Sequence, residues 1–236
     1  MNSVKNHTTT LLFLLLVVPN VYGQDNATVT YTFEWTSVDY HKDYILIING
    51  PLSKYEYHNE PHSHTSPQGY FVDFNHNYFD WYYDVVKKQI TEQRVLKDGT
   101  RVIARWPAAL SWEISEETKE IAGYTVQKAI AHGHYLRDEN RPDWDYGEAI
   151  AWFTTDIPFT TGPQRFYGLP GLIVRLEFTD KSESYTLKNI EWDTGDTIVI
   201  PADGIEVSKG QTLQFNQLLN KKWLKQQKKA LRGKGE

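Results

Sequence analysis

Residues 28–35, TVTYTFEW, alternate without a break. Val29, Tyr31, Phe33 and Trp35 fall on one side of an extended chain, and Thr28, Thr30, Thr32 and Glu34 on the other. A period of two is the pattern of a half-buried strand. The same pattern returns, in segments of four to ten residues, through most of the chain. Residues 44–48 form a short apolar run that ends at the breaker Asn49-Gly50-Pro51. Residues 58–68, HNEPHSHTSPQ, read as a polar loop, after which 69–74 resume an extended pattern. Segments 90–97 and 101–106 flank Asp98-Gly99, a strong hairpin signal. Further strands are expected at 112–114, 119–121, 124–131, 148–155, 172–178 and 185–192.

Nine to eleven strands joined by local turns predict a mainly β fold. The expected architecture is a curved antiparallel sheet or partly open barrel, a meander that manages its own edges. Helical periodicity is confined to the C-terminus. From Gln211, the apolar residues Leu213, Phe215, Leu218, Leu219, Trp223 and Leu224 form a stripe, with cations toward its end. No linker divides the body, so residues 24–220 are expected to form a single domain, followed by a basic C-terminal helix or tail, 221–236.

Residues 1–23 read as a signal peptide. Lys5 and His7 precede the short apolar run 11–18, and Val21-Tyr22-Gly23 supplies small residues at the cleavage positions. That run is far shorter than the ~20 residues of a spanning helix. An exported, periplasmic or secreted chain without a transmembrane segment is expected. The chain has no cysteine, which excludes thiol catalysis, Cys-based metal sites and disulfides. Residues 24–220 carry a net charge of −12 and the tail 221–236 a net charge of +6. The acidic body argues against nucleic acid as a partner.

The segments that could carry chemistry are few. There is no Gly-x-Ser-x-Gly elbow, no His-Glu-x-x-His and no phosphate-cradling loop with Lys. Two His-x-His pairs, His62/His64 and His132/His134, could each offer two imidazoles to one zinc or copper ion if they lie in strands. The sequence requires no cofactor. The acidic loop 137–145 places Trp144 between Asp143 and Asp145 and is a candidate ligand contact. The cluster YFDWYY, 78–83, reads as a strand at the rim of the core or as the wall of a ligand site. Trp152, Phe166 and Tyr167 join Trp144 as ligand-binding candidates.

Residues 151–173 read AWFTTDIPFTTGPQRFYGLPGLI. Gly168, Leu169, Pro170, Gly171, Leu172 and Ile173 stand within an ordered series. It includes Ile90-Thr91-Glu92, Glu117-Thr118-Lys119, Ile121-Ala122-Gly123-Tyr124, Lys128-Ala129, Ile157-Pro158 and Gly162-Pro163. Over about residues 85–195 the chain resembles the GLPGLI family of small exported proteins of Gram-negative bacteria. It departs from that family at Val126, where many members carry cysteine. The resemblance implies an exported β-rich protein without an established biochemical activity, whose genes often accompany outer-membrane transport systems. An outer-membrane transporter or another envelope protein is the partner it suggests.

Physically, the prolines and glycines of the motif read as a structural corner. Pro170 pins a turn, Gly168 or Gly171 takes a positive φ, and Leu172 enters the sheet with Val174 and Leu176 on its face. The sequence therefore reads as a non-enzymatic binding or accessory protein. It would hold an apolar ligand, peptide or partner segment on a concave sheet face. A metal-binding protein built on the two His-x-His pairs and a hydrolase with a scattered acid/base pair are the other readings.

Overall fold

A computed structural model describes residues 26–36, 39–59, 62–65, 71–74, 77–95, 99–132, 148–179 and 183–208. They form β1 (Asn26–Trp35), β2 (Tyr40–Asn49), β3 (Leu52–Asn59), β4 (His62–Thr65), β5 (Phe71–Phe74), β6 (Asn77–Asp84) and β7 (Gln89–Val95). These are followed by β8 (Arg101–Pro107), β9 (Ser111–Ile121), β10 (Tyr124–His132), β11 (Ala149–Thr154), β12 (Leu172–Phe178), β13 (Glu183–Trp192) and β14 (Ile205–Val207). Twelve strands make one sheet in the order β14-β8-β7-β6-β3-β2-β1-β13-β12-β11-β10-β9. Every pairing in it is antiparallel except β14 with β8. The mainly β, largely antiparallel meander expected from the sequence is present. The expected C-terminal helix and tail, 221–236, and the signal segment, 1–23, lie outside the described residues.

The sheet is open, because β8 and β9 do not pair with each other. They are nonetheless consecutive in the chain, joined only by residues 108–110. Ten strand spacings separate them in the sheet, about 48 Å if it were flat. The link between Pro107 and Ser111 spans at most about 14 Å. The sheet must therefore curl until its two ends meet at this bend.

Alternation decides what lies inside the curl. β1 turns Val29, Tyr31 and Phe33 inward, β2 turns Tyr44, Leu46 and Ile48, and all six are buried. Tyr55, Trp81 and Ile90 continue the same face across β3, β6 and β7. The interior so formed is filled by the chain between β11 and β12. In that arm Ile157, Phe166, Tyr167 and Leu169 are buried. The arm doubles back on itself through a bridge between Thr161 and Tyr167. The Leu172 N–H donates to the Ile157 carbonyl (2.9 Å) and the Ile173 N–H to that of Thr161 (3.2 Å).

The motif glycines have separate reasons. Gly168 takes a φ of +90°. Gly171 is needed for close approach: a Cβ there would lie 2.6 Å from the Thr154 carbonyl carbon, and closer still to its oxygen. Leu172, Ile173 and Val174 are all buried, so the entry to β12 is enclosed on both faces rather than one. The corner read from the sequence is the neck of a plug.

Three expectations are corrected. Residues 112–114 and 119–121 belong to one continuous strand, β9. Strand β3 stands where the sequence reading places none: Tyr55 and Tyr57 face in while Lys54 and Glu56 face out. The segment 58–68, expected to be a polar loop, contains β4, which pairs with β5 as a separate two-stranded ladder.

Candidate functional site: an aromatic pocket at one end of the curled sheet

The arm enters the curl from the end where β11 stops and β12 starts. Its tip, residues 162–166, reaches toward the other end, at which β1, β3, β7, β10 and β12 finish and β2, β6, β11 and β13 begin. Above the tip a pocket of about 190 Å³ remains. The tip supplies Gln164, Arg165 and Phe166 to it; the sheet supplies Tyr57, Phe79, Trp81, Phe178, Glu183 and Tyr185. Six aromatic rings, a guanidinium, a carboxylate and an amide thus share one lining.

The walls are preorganised. Tyr44, Tyr57 and Phe79 stack across β2, β3 and β6, with centroids 4.8 Å and 4.5 Å apart and rings 11° and 19° from parallel. Cations close both ends of this ladder: Lys42 Nζ lies 5.4 Å from the Tyr44 ring and the Arg94 guanidinium 4.8 Å from Phe79. Trp81 stands edge-on to Phe79 at 4.7 Å and 82°, and its Nε1–H donates to Glu92 Oε2 at 3.1 Å. Glu92 is held in turn by Arg94. Glu92 is a buried carboxylate inside the curl that is fully partnered, as such a charge must be.

Polar contacts fix the floor. Gln164 has a φ of +55° and its Nε2 donates to the Tyr185 hydroxyl. Beneath, the Tyr167 ring stacks on Tyr83 at 4.3 Å. Its carbonyl accepts from Trp112 Nε1 at 2.8 Å and its hydroxyl from the Leu110 N–H at 3.4 Å. Ser53 and Thr161 share a hydroxyl–hydroxyl bond of 3.0 Å, and Tyr31 Oη donates to the Ile173 carbonyl at 2.6 Å. The arm is thereby tied to β3, β9 and β13, and the start of β12 to β1. Burial pushes the phenols of Tyr55 and Tyr185 well above their ordinary value, and nearby charges including Glu183 add to the effect.

The candidates read from the sequence divide. Phe166 lines the pocket and Tyr167 packs directly below it. Trp152 faces the opposite side of the sheet, where Lys119 Nζ caps its ring at 3.5 Å and its Nε1–H donates to Glu177 Oε1 at 3.1 Å. Trp144 lies outside the described residues, as does His134. His62 and His64 sit in β4 and His132 ends β10; their side chains fall outside the description. Among the described residues no group of three or more His, Asp or Glu is placed to hold a metal ion. Of Tyr57, Phe79, Trp81, Phe178, Tyr185, Arg165 and Glu183, sequence reasoning reaches only Phe79 and Trp81, within the cluster 78–83 read as a core-rim strand or the wall of a ligand site. The signal that finds the first three is an aromatic at every second position in 55–57 and 79–83. No helix among the described residues is long and apolar enough to cross a membrane.

Comparison with known proteins places the signature without assigning a function. The family described as Protein of unknown function (Porph_ging) matches residues 137–175, the stretch that contains β11 and the arm. No curated protein matches the chain. Among solved structures, PNGF-II in its P21 crystal form aligns at a TM-score of 0.55 and 12% identity, covering 80% of this chain and 32% of that one. The C2 form gives 0.51 and 12%, covering 78% and 31%. An uncharacterized conserved protein from Thermus thermophilus aligns at 0.40 and 9%, covering 79% and 91%. This chain spans about a third of the length of PNGF-II, and the likeness is one of fold.

Proposed function

We propose that the protein is an exported binding module that holds one apolar or aromatic group, of a ligand or a partner segment, in the mouth of its curled sheet. The observation that carries this reading is the pocket of about 190 Å³ walled by six rings whose positions are fixed by stacking and hydrogen bonds. A cavity of about 150 Å³ accepts a benzene ring, so this one suits a single ring with a small substituent. Preformed walls spare the guest the cost of ordering them. Export rests on the leader-like residues 1–23, and a partner in the cell envelope would follow from that location.

Ligand-observed NMR with toluene and indole tests the pocket. For seven to nine heavy atoms the expected dissociation constant is on the order of 1 mM. Phe178→Trp, which pushes a larger ring into the pocket, should weaken saturation transfer while thermal unfolding stays cooperative. Equal transfer in this variant, or none in the parent, would sink the proposal. Export is tested by sequencing the N-terminus of secreted protein, with cleavage after Gly23 expected and an intact Met1 refuting it.

A further inference from the structure

We infer that the pocket's guest is a zwitterion, an aromatic α-amino acid, and not a simple hydrocarbon or a singly charged ring. The inference rests on the binding role just proposed and adds the chemistry of the guest. Two charges of opposite sign stand in one lining: Arg165, from the tip of the arm, and Glu183, from the start of β13. Six rings surround them. Both side chains also make contacts within the protein, so a guest adds to these or exchanges with them.

Charge balance selects the guest. A ring carrying only a carboxylate or only an ammonium brings one uncompensated charge into a space from which its water is partly stripped, and that is costly. A hydrocarbon ring avoids the cost but gains no charge-assisted bond from either side chain. A zwitterion keeps the pocket neutral and offers each side chain a charge-assisted partner: carboxylate to Arg165, ammonium to Glu183. The protein already holds an interior carboxylate this way, since Glu92 is matched by Arg94, two residues on along β7. The ring itself fits: about 190 Å³ exceeds the ~150 Å³ that holds a benzene.

Four probes of similar shape separate the possibilities: L-phenylalanine, 3-phenylpropionate, phenethylamine and ethylbenzene, each titrated by NMR against the full chain. Phenylalanine should bind roughly tenfold or more tightly than the other three, since two charge-assisted bonds distinguish it. In Glu183→Gln the order should turn toward 3-phenylpropionate, and in Arg165→Gln toward phenethylamine. Those crossed preferences are a readout that a merely destabilised fold would not produce. If ethylbenzene binds and phenylalanine is no tighter than either ion, the zwitterion is refuted while the binding role stands. If no probe binds, both fall.

Discussion

Replacing Gly171 with alanine is the sharpest test of the plugged-sheet architecture. The added Cβ would sit 2.6 Å from the Thr154 carbonyl carbon and 3.0 Å from Thr155 Cα. Non-bonded carbons rest about 3.5–4.0 Å apart, so the two chains must separate by about 1 Å. The obstructing atoms are backbone, and no rotamer change relieves them. Overpacking of this kind costs about 1–3 kcal/mol. The displacement also pulls on the bonds from Leu172 N–H to Ile157 and from Ile173 N–H to Thr161, each contributing about 1 kcal/mol. The sum is about 3–5 kcal/mol, a large part of the roughly 5–15 kcal/mol that holds a domain folded.

Gly168→Ala is the matched control. Gly168 has a φ of +90° and nothing within 4 Å of where its Cβ would be. Only the left-handed backbone opposes alanine there, at about 1–2 kcal/mol. Urea unfolding should give both variants the slope of the parent, with the midpoint of Gly171→Ala falling about twice as far or more. For a domain of this size the same loss lowers Tm by about 6–20 °C. Equal midpoints for the two variants would refute the claim that the motif's neck is closed on Thr154.

Three further outcomes follow from the interior and the outer face. Tyr31→Phe deletes the 2.6 Å bond to the Ile173 carbonyl and leaves that acceptor buried; a loss of about 1–3 kcal/mol in chemical denaturation is expected, and no change would mean that the start of β12 is not held there. Burial raises the phenols of Tyr31, Tyr55 and Tyr185 in the folded state, so stability is complete below their unfolded value near 10 and declines as pH rises above it. With all three silent, the decline approaches about 4 kcal/mol per pH unit; ultraviolet titration should show them ionising only as the fold is lost, and reversible ionisation of every tyrosine in the native state would contradict this. For Glu177, burial pushes the carboxyl up, but the Trp152 N–H and the Arg175 guanidinium outweigh it and the net direction is down. Its contribution is present above the unfolded value near 4.3 and is lost as pH falls through the lower folded value. Glu177→Gln should therefore flatten the acid limb of a stability–pH curve, and an unchanged limb would rule this out.

Particular residues show how much of the fold and of the pocket is legible in the sequence. The inward face of β1 is legible because Val29, Tyr31 and Phe33 alternate with threonines, and period-two patterning is a local signal. The antiparallel pairing of β7 with β8 is legible from a local turn signal, and Gly99 does take a φ of +82°. Strand β3 is hidden because it starts directly after Pro51 and carries Lys54 and Glu56 outward. Its two buried-side tyrosines make sense only once β6 lies beside them. The curl is expected in outline, but its cause is not local: β1 pairs with β13 across most of the chain length, and β8 and β9 are bound only by their covalent link. The position of Trp152 follows from parity. Ala149 and Ala151 point into the core, so the tryptophan between Ala151 and Phe153 faces out beneath Lys119.

The signature hexapeptide and the pocket are parts of one construction. A curled sheet of this width encloses more space than its own side chains fill at one end, and the arm between β11 and β12 occupies it. How far the arm reaches is set at its neck. Gly171 lets the chain pass against the Thr154 carbonyl, and a Cβ on Gly162 would lie 2.7 Å from Ile173 Cβ. Those two glycines seat the arm against the end of β11 and the start of β12, and the tip that follows from this seating, Gln164 to Phe166, becomes the floor of the pocket. A residue pattern with no reactive group in it can thus govern binding by fixing where a floor stands. The polar and charged groups that face a guest then come from two sources that the neck holds in register: Gln164 and Arg165 from the arm, Glu183 and the tyrosines from the sheet.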